Sequence, residues 1–119
     1  MVERIEKLTK AQNIWLATTR QDCKPHLVPI WFVWMDEKFY ICTARSSLKA
    51  RNLTRHPAAS LALEDGIEPV VAECTARLIE KPYPPEITTA FFQKYEWKID
   101  GDTEYDIVIE FTPHKWLMG

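Results

Sequence analysis

The chain has 119 residues, 46% of them hydrophobic and 27% charged, and its 15 basic and 17 acidic residues give a formal net charge of −2. This composition is typical of one folded domain over residues 1–119 and excludes a disordered chain. A slightly acidic protein has no overall field that attracts nucleic acid or an anionic membrane. Because the first residues lack the apolar core of a signal peptide, we expect a cytoplasmic protein that binds neither.

Hydrophobic periodicity predicts a mainly β fold. In chain order the predicted elements are a helix at 2–13, strands at 14–20, 25–35 and 38–44, a helix at 46–55, strands at 58–64 and 70–80, a helix at 84–97 and a strand at 104–112. The last strand is predicted to face the core through Tyr105, Ile107, Ile109 and Phe111. Strands joined mostly by turns, without a βαβ rhythm, favour a small antiparallel barrel with short helices packed outside.

The strand predicted at 25–35 is apolar on both sides, which is typical of a strand that is covered on both faces. Pro29 lies in the middle of it and has no N–H to donate to a neighbouring strand. The strand is therefore predicted to be an edge, or to have an interrupted ladder beside which a ligand could lie. A simple edge proline is an equally good explanation.

Positive charge is concentrated around the second predicted helix. From Lys38 through Leu63 the chain has no Asp or Glu, and the cations in this window are Lys38, Arg45, Lys49, Arg51 and Arg55. A helix start already favours an anion, and hydroxyl groups precede this one at Thr43, Ser46 and Ser47. Lys49 and Asn52 are three positions apart and can face one ligand. A solvated helix face and a nucleic-acid platform are the alternatives, and the net acidity disfavours the second.

Other common sites are absent from the sequence. The chain has three glycines, so neither a GxGxxG fingerprint nor a P-loop is present, and a phosphate must be bound by a helix start, hydroxyls and cations. Cys23, Cys42 and Cys74 form no CxxC pair, which argues against zinc or a disulfide framework and favours small residues in or near the core. A reactive thiol at Cys42 is the alternative.

His26, His56 and His114 lie in separate segments and form no catalytic dyad, so no catalytic side chain is predicted.

The segments PHLVPIWFVW and FYICTARSSLKARNLTRHPAASLAL resemble the FMN-binding split-barrel family, the pyridoxamine 5′-phosphate oxidase-like proteins. The resemblance runs from about Ile14 to Ile79 and more loosely to the closing TPHKW segment. It implies a six-stranded antiparallel split barrel that forms a homodimer, with a flavin in each of two sites at the subunit interface. The implied cofactor is FMN.

The resemblance also implies roles for particular residues. The isoalloxazine ring would lie along Val28, Pro29, Ile30 and Trp31, contacted largely through main chain. The implied match to the end of the third strand is Cys42 and Thr43, and the implied phosphate-binding residues at the helix start are Ser47, Leu48, Lys49 and Asn52. Trp116 and the last strand would close the partner's pocket. Leu48 and Pro69 depart from the pyridoxamine phosphate oxidases, which have a cation and a glutamine there, and this argues against oxidation of that vitamin.

The implied activity is hydride transfer through flavin N5 to or from an unidentified small-molecule substrate or electron donor. The alternatives are a non-enzymatic FMN carrier or electron-transfer protein, and a haem or deazaflavin binder on the same scaffold, because relatives of each kind exist. The motifs do not separate these possibilities.

Overall fold

The computed structural model describes residues 2–117, which form three α-helices, a short 3-10 turn at Ile99–Gly101 and seven strands. The helices are α1 Val2–Lys10, α2 Leu48–Arg55 and α3 Pro85–Tyr95. The strands are β1 Asn13–Thr19, β2 Pro25–Trp31, β3 Val33–Met35, β4 Lys38–Thr43, β5 Ala58–Ala62, β6 Val71–Ile79 and β7 Ile107–Leu117. No helix in this part of the chain is long and apolar enough to cross a membrane.

All strand pairs are antiparallel, and the order across the sheet is β2-β1-β5-β6-β7-β4-β3. The strand predicted at 25–35 is therefore interrupted at Phe32, with β2 at one edge of the sheet and β3 at the other. Because one residue separates the two edge strands, the sheet must curl until its edges meet there. The result is a mainly β, curled sheet consistent with a split barrel, and the prediction of six strands was wrong by one.

We call the meeting point of the two edges, Trp31–Val33, the seam. Side chains of α3 bind the Phe32 main chain there in place of a neighbouring strand. The Tyr95 hydroxyl accepts from the Phe32 N–H at 3.0 Å and lies 2.8 Å from both the Phe32 and Gln12 carbonyl oxygens, to which it can donate. Lys94 Nζ also donates to the Phe32 carbonyl at 2.9 Å. The strand breaks because these bonds replace a ladder.

Hydrophobic residues form one cluster inside the curled sheet and a second beneath α3. Phe39, Ile41, Ile109 and Phe111 contribute to the first, while Tyr40, Val108, Ile87 and Phe91 contribute to the second. β4 and the first part of β7, Ile107–Phe111, are therefore buried on both faces, which explains why most of their residues are apolar. Each fully buried side chain of this size stabilises the fold by about 1.5–3 kcal/mol.

The last strand differs from its prediction at both ends. Asp102 Oδ1 accepts the N–H groups of Glu104 and Tyr105, at 3.0 and 2.8 Å, so these residues form a turn and the strand begins later. The predicted inward position of Tyr105 was wrong, because its side chain is 43% exposed. The strand also continues past Pro113, which lies next to an irregularity in the pairing with β6. A bulge of this kind accommodates a proline in a ladder.

The three cysteines are free thiols. Cys42 and Cys74 are buried, as expected for small core residues, whereas Cys23 is exposed in the turn between β1 and β2. Cys23 has a φ of 70°, a left-handed backbone conformation that is uncommon outside glycine. The core prediction was therefore wrong for Cys23, because the turn that joins β1 to the edge strand β2 leaves its side chain exposed.

A buried carboxylate, Glu110, lies in the middle of β7. It accepts hydrogen bonds from the Tyr40 hydroxyl at 3.0 Å and from Arg77 Nε at 3.1 Å. Burial opposes ionisation of Glu110, but the bonds from Arg77 and Tyr40 outweigh it and hold its pKa below the ordinary value of 4.5. A depressed pKa in the folded state means that the ionised group stabilises the fold above the unfolded pKa.

We expect Glu110→Gln to lower the free energy of unfolding by about 1–2 kcal/mol near neutral pH, because a charged acceptor is lost. The difference from wild type should shrink as the pH falls through the folded-state pKa, since protonation removes the same charge. Urea unfolding followed by circular dichroism at about pH 7 and about pH 3 measures both effects. Glu37→Gln, at an exposed turn residue, is the control. A difference that does not depend on pH would contradict this account.

Candidate functional site

A cleft with a volume of about 740 Å³ opens between β2, the end of β4, the start of α2 and the segment that follows α3. Among the residues that the sequence implicates in cofactor binding, those that line the cleft are Pro29, Ile30, Trp31, Cys42, Thr43 and Lys49. The fold thus brings the end of one edge strand close to a helix start in the basic window. The volume lies in the range of ordinary small-molecule sites.

The edge strand β2 presents its main chain to the cleft. Successive strand residues point to opposite sides, so a lining that includes Pro29, Ile30 and Trp31 in a row includes the backbone between them. β2 pairs with β1 on one side only and is an edge of the sheet, as its central proline predicts. The unpaired side of this edge is therefore accessible to a flat ligand.

Lys49 is the cation among the described residues that line the cleft. It lies in the first turn of α2, whose N-cap Ser47 accepts the Ala50 N–H at 3.3 Å, and the Thr43 hydroxyl lies 3.5 Å from Ser47 Oγ. No hydrogen bond or ion pair within residues 2–117 involves its amine, and burial lowers its pKa. A half-buried ammonium without a counter-ion, next to free helix N–H groups, is suited to an anion.

Other cations of the basic window have contacts elsewhere. The Arg45 guanidinium pairs with Glu80, with Nη1 2.8 Å from Oε2, and the Arg45 N–H donates to Asp106 at 2.7 Å. Arg55 donates to the Asn52 side-chain oxygen at 3.1 Å and to the Thr19 carbonyl at 3.2 Å. The concentration of charge in the sequence therefore overstates the charge available to a ligand in the cleft.

Several implicated residues do not line the cleft of their own chain: Val28, Ser47, Leu48, Asn52 and Trp116. Asn52 is buried, and its amide nitrogen donates to the Thr18 hydroxyl at 3.1 Å. Trp116 packs against Trp34, with ring centroids 5.9 Å apart, and lies under the Arg4 guanidinium. Contact between Asn52 and a phosphate, and between Trp116 and a partner's pocket, stay predictions.

His26 lies behind the cleft on β2, opposite Thr18 of β1. Its Nδ1 is buried and has no hydrogen-bond partner among the described residues. Burial, followed by the charges of Arg20 and Lys49, lowers the pKa of His26, so a neutral imidazole is favoured at neutral pH. The histidine therefore adds no positive charge beside Lys49.

The cleft residues that the sequence analysis did not predict are Asn13, at the start of β1, and a group from the segment after α3. The second group is the larger. Its members form an aromatic wall with Trp31 and an acidic rim: the wall consists of Trp31, Trp97 and Tyr105, and the rim consists of Glu96, Asp102 and Glu104. Trp31 stacks on Tyr95 with ring centroids 4.3 Å apart and planes 4° apart, and Trp97 meets Trp31 edge-on at 6.1 Å. Tyr105 meets Trp97 edge-on at 5.7 Å. The wall is thus a set of mutually supported rings.

The acidic rim is held in place by the local backbone. Glu96 caps α3 in a left-handed conformation with φ 55°. Asp102 accepts from Trp97 Nε1 at 3.0 Å in addition to two backbone N–H groups, and the N–H of Tyr105 contributes most to holding the pKa of Asp102 below its ordinary value. The Asp102 carboxylate is therefore charged near neutral pH. The run YEWKIDGDTEY, rich in acidic and aromatic residues, was the signal available in the sequence.

Cys42 lines the floor of the cleft, but its thiol is not activated. Burial raises the pKa of Cys42 to about 12, and its sulfur lies 3.6 Å from the Tyr105 carbonyl oxygen, a weak contact. A buried thiol in apolar surroundings is protonated near neutral pH and is a poor nucleophile. The alternative of a reactive Cys42 is therefore not supported.

Comparison with known proteins identifies the family. The model of the pyridoxamine 5′-phosphate oxidase family matches residues 1–118. No curated protein sequence matches the chain significantly.

Solved structures with the same fold have diverse descriptions. A conserved hypothetical protein from Mycobacterium tuberculosis is 23% identical with a TM-score of 0.83, over 98% of this chain and 82% of that one. The heme storage protein HutZ from Vibrio cholerae is 18% identical with a TM-score of 0.83, over 99% of this chain and 94% of that one. An F420 reductase is 18% identical with a TM-score of 0.77, over 94% of each chain. At these identities the likeness shows the fold alone.

Proposed function

Because the chain belongs to the pyridoxamine 5′-phosphate oxidase family, we propose that it binds FMN in the cleft and is a flavin-dependent oxidoreductase acting on an unidentified small molecule. The observation that carries the proposal is the pairing, in one cleft, of the exposed edge of β2 with Lys49 at the start of α2. A flat ring and a phosphate on one ligand match these two features. The fold alone would not make this choice.

The residues of the cleft fit FMN. The ring would lie along Pro29–Trp31, where one side of the edge strand is unpaired, and the phosphate would be bound by Lys49 and the N–H groups at the start of α2. Bound FMN supplies hydride transfer at its N5 atom. The chain's own contribution is to orient the ring with the β2 main chain, to neutralise the phosphate with Lys49, and to exclude water with Trp31 and Trp97. No acid or base is required of a side chain.

The same residues disfavour haem in this cleft. None of the three histidines lines it, and among the described lining residues the other types that bind haem iron are Cys42, a buried thiol, and Tyr105, which packs edge-on against Trp97. HutZ is described as a heme storage protein, but it shares only the fold with this chain. A Soret band after addition of haem to the purified protein would reverse this order of preference.

A deazaflavin and a purely carrier role are the remaining alternatives. The F420 reductase shows that this fold occurs in a protein that uses a deazaflavin. FMN is preferred here because its one anionic group, the phosphate, matches Lys49, the one cation that lines the cleft within residues 2–117. Turnover of a reduced nicotinamide with an acceptor would support an enzyme, whereas a bound yellow chromophore without turnover would support a carrier.

The experiment that tests the proposal is the visible spectrum of the freshly purified protein, before and after denaturation. Flavin absorbance that is released on denaturation, and that returns when FMN is added to the flavin-free protein, is the expected result. A colourless protein whose titration with FMN leaves flavin fluorescence unchanged would overturn it.

A homodimer is part of the proposal, because an apolar face of the β1–β2 pair is left exposed. The side chains on this face that are large, exposed and outside the cleft lining are Trp15 and Leu27, with exposed fractions of 37% and 60%, and Trp31 lies at the end of the face that borders the cleft. Trp15 lies opposite Pro29, and Asn13 lies opposite Trp31, so these residues share one side of the sheet. A strand predicted to be covered on both faces is covered on one face within a single chain, and a second copy would cover the other.

We expect the protein to have twice the mass of its 13.9 kDa chain in solution at micromolar concentration. Leu27→Glu should give a folded monomer, because a charge at the centre of an apolar interface costs several kcal/mol unless it is paired. Light scattering coupled to size-exclusion chromatography measures the mass of the wild type and of the Leu27 variant. Glu6→Gln, on the exposed surface of α1, is the control and should have the mass of the wild type. A wild-type monomer would count directly against the dimer.

A further inference from the structure

The cleft carries opposite charge on its two sides. Lys49 lies on the side formed by β4 and α2, while the acidic rim, Glu96, Asp102 and Glu104, lies on the side formed by residues 96–105. The lining residues therefore contribute three carboxylates against one ammonium. An anion bound at Lys49 would neutralise that side and leave the acidic rim without a counter-charge from the lining.

Nearby cations do not remove this imbalance. Lys98 lies in the same segment, but its amine is 5.9 Å from the centre of the Phe92 ring, over α3, and it does not line the cleft. Lys81 donates to the Asp102 carbonyl oxygen at 2.7 Å from outside the lining. Lys81 offsets part of the negative charge at Asp102, and the charges of Glu96 and Glu104 stay unpaired within residues 2–117.

The aromatic wall stands beside this acidic rim. Trp31 and Tyr105 have exposed fractions of 47% and 43%, which is high for aromatic rings in a protein of this size. Trp97, between them, donates its indole N–H to Asp102, so the ring and the carboxylate are held as one unit. Faces of aromatic rings attract cations, and tryptophan does so most strongly. Rings next to carboxylates form a surface that favours flat cations and disfavours anions.

We propose that the second ligand of the cleft, the one that binds against the aromatic wall beside the cofactor, is a flat ring that carries positive charge. The proposal rests on the proposed function in so far as FMN occupies the side of Lys49. It implies that nucleotide-sized anions, including phosphorylated nicotinamide donors, bind poorly on this side, because the rim repels them. The substrate class is then set by Glu96, Glu104 and the wall rather than by the cation that holds the cofactor.

Three probes of one size and three charges test the proposal: the 1-methylnicotinamide cation, neutral nicotinamide and the nicotinate anion. Dissociation constants come from the shifts of tryptophan indole N–H signals in proton–nitrogen correlation spectra of the labelled protein. We expect the cation to bind at least about tenfold more tightly than nicotinate at low salt, with nicotinamide between them. Equal affinities, or tighter binding of nicotinate, would overturn the proposal.

Substitutions in the acidic rim test whether its carboxylates cause the preference for the cationic probe. The double variant Glu96→Gln with Glu104→Gln should bring the cation and the anion to within about threefold, since the repulsion and attraction both depend on these charges. Both residues are exposed, so the fold is expected to persist, and the matched control is Glu3→Gln with Glu6→Gln on α1. A preference that survives in the rim variant would overturn the assignment to these carboxylates.

The titrations are repeated with and without saturating FMN. The two sets of data test the preference for a cationic ring and the binding of FMN independently of each other. A preference for the cation in flavin-free protein that does not bind FMN would leave this proposal standing and reject the cofactor assignment. Binding of FMN together with equal affinities for the three probes would support the cofactor assignment and overturn the proposed preference for a cation.

Discussion

Replacing Lys49 with alanine is expected to weaken FMN binding by about 1.5–3 kcal/mol, or roughly 10- to 150-fold, the usual loss for a charged hydrogen bond. Lys49 is the cation that lines the cleft among the described residues, it is half-buried, and its amine has no partner within residues 2–117. Burial lowers the pKa of the amine, so a bound phosphate would restore its preference for the charged form. Titration of the flavin-free variant, followed by flavin fluorescence, gives the affinity.

The matched control for this measurement is Arg51→Ala. Arg51 lies on the same helix two positions later, is exposed, and does not line the cleft. The Arg51→Ala substitution removes the same net charge from α2 as Lys49→Ala. The long-range electrostatic effect on FMN is therefore similar in the two variants, whereas the lining of the cleft is unchanged in the Arg51 variant. Unchanged affinity in the Lys49 variant, or an equal loss in both variants, would show that the phosphate lies elsewhere.

Replacing Tyr95 with phenylalanine is expected to lower the free energy of unfolding by about 1–3 kcal/mol. The hydroxyl accepts from the Phe32 N–H and lies within bonding distance of the Phe32 and Gln12 carbonyl oxygens, so its removal leaves a buried N–H at the seam without a partner. Lys94 continues to donate to the Phe32 carbonyl in the variant, which limits the loss. Urea unfolding followed by circular dichroism gives the change.

Tyr105→Phe is the comparison, because the Tyr105 hydroxyl has no hydrogen bond within the described residues and its side chain is 43% exposed. It should change the free energy of unfolding by less than about 0.5 kcal/mol. Amide hydrogen exchange of β3 should also accelerate in the Tyr95 variant, since the seam anchors this short edge strand. Equal stability of the two variants would mean that water replaces the phenolic hydroxyl at no cost.

Local signals in the sequence were sufficient for the second helix and its surroundings. A serine before a run of helix formers predicts an N-cap, and the structure places that cap at Ser47 with α2 ending at Arg55, next to the His56–Pro57 pair. The strand predicted at 14–20 is likewise confirmed as β1, and the alternation of its sequence matches the burial of Ile14, Leu16 and Thr18 on one face. These features depend on residues within one or two turns of one another, which is the range that a sequence pattern reports.

Features decided by distant residues were not predictable in this way. The apolar pattern continues without change through Phe32, and the break there depends on Lys94 and Tyr95, which are 62 and 63 positions further along. The acidic rim is similar: the acidic and aromatic run at residues 95–105 is visible in the sequence, but its place against β2 and β4 depends on the curl of the sheet. The predicted first helix was too long for a simpler reason, since helix ends are weakly encoded.

The seam has a consequence for how the chain reaches its fold during translation. Phe32 leaves the ribosome 62 residues before Lys94 and 63 before Tyr95, and until those residues arrive the main chain of Phe32 has water as its partner. The two edges of the sheet can therefore associate lastingly only when most of the polypeptide has been made. We therefore expect closure of the barrel to be a late step for the nascent chain, and an arrested chain that lacks α3 would expose both edges to the chaperones of the cell.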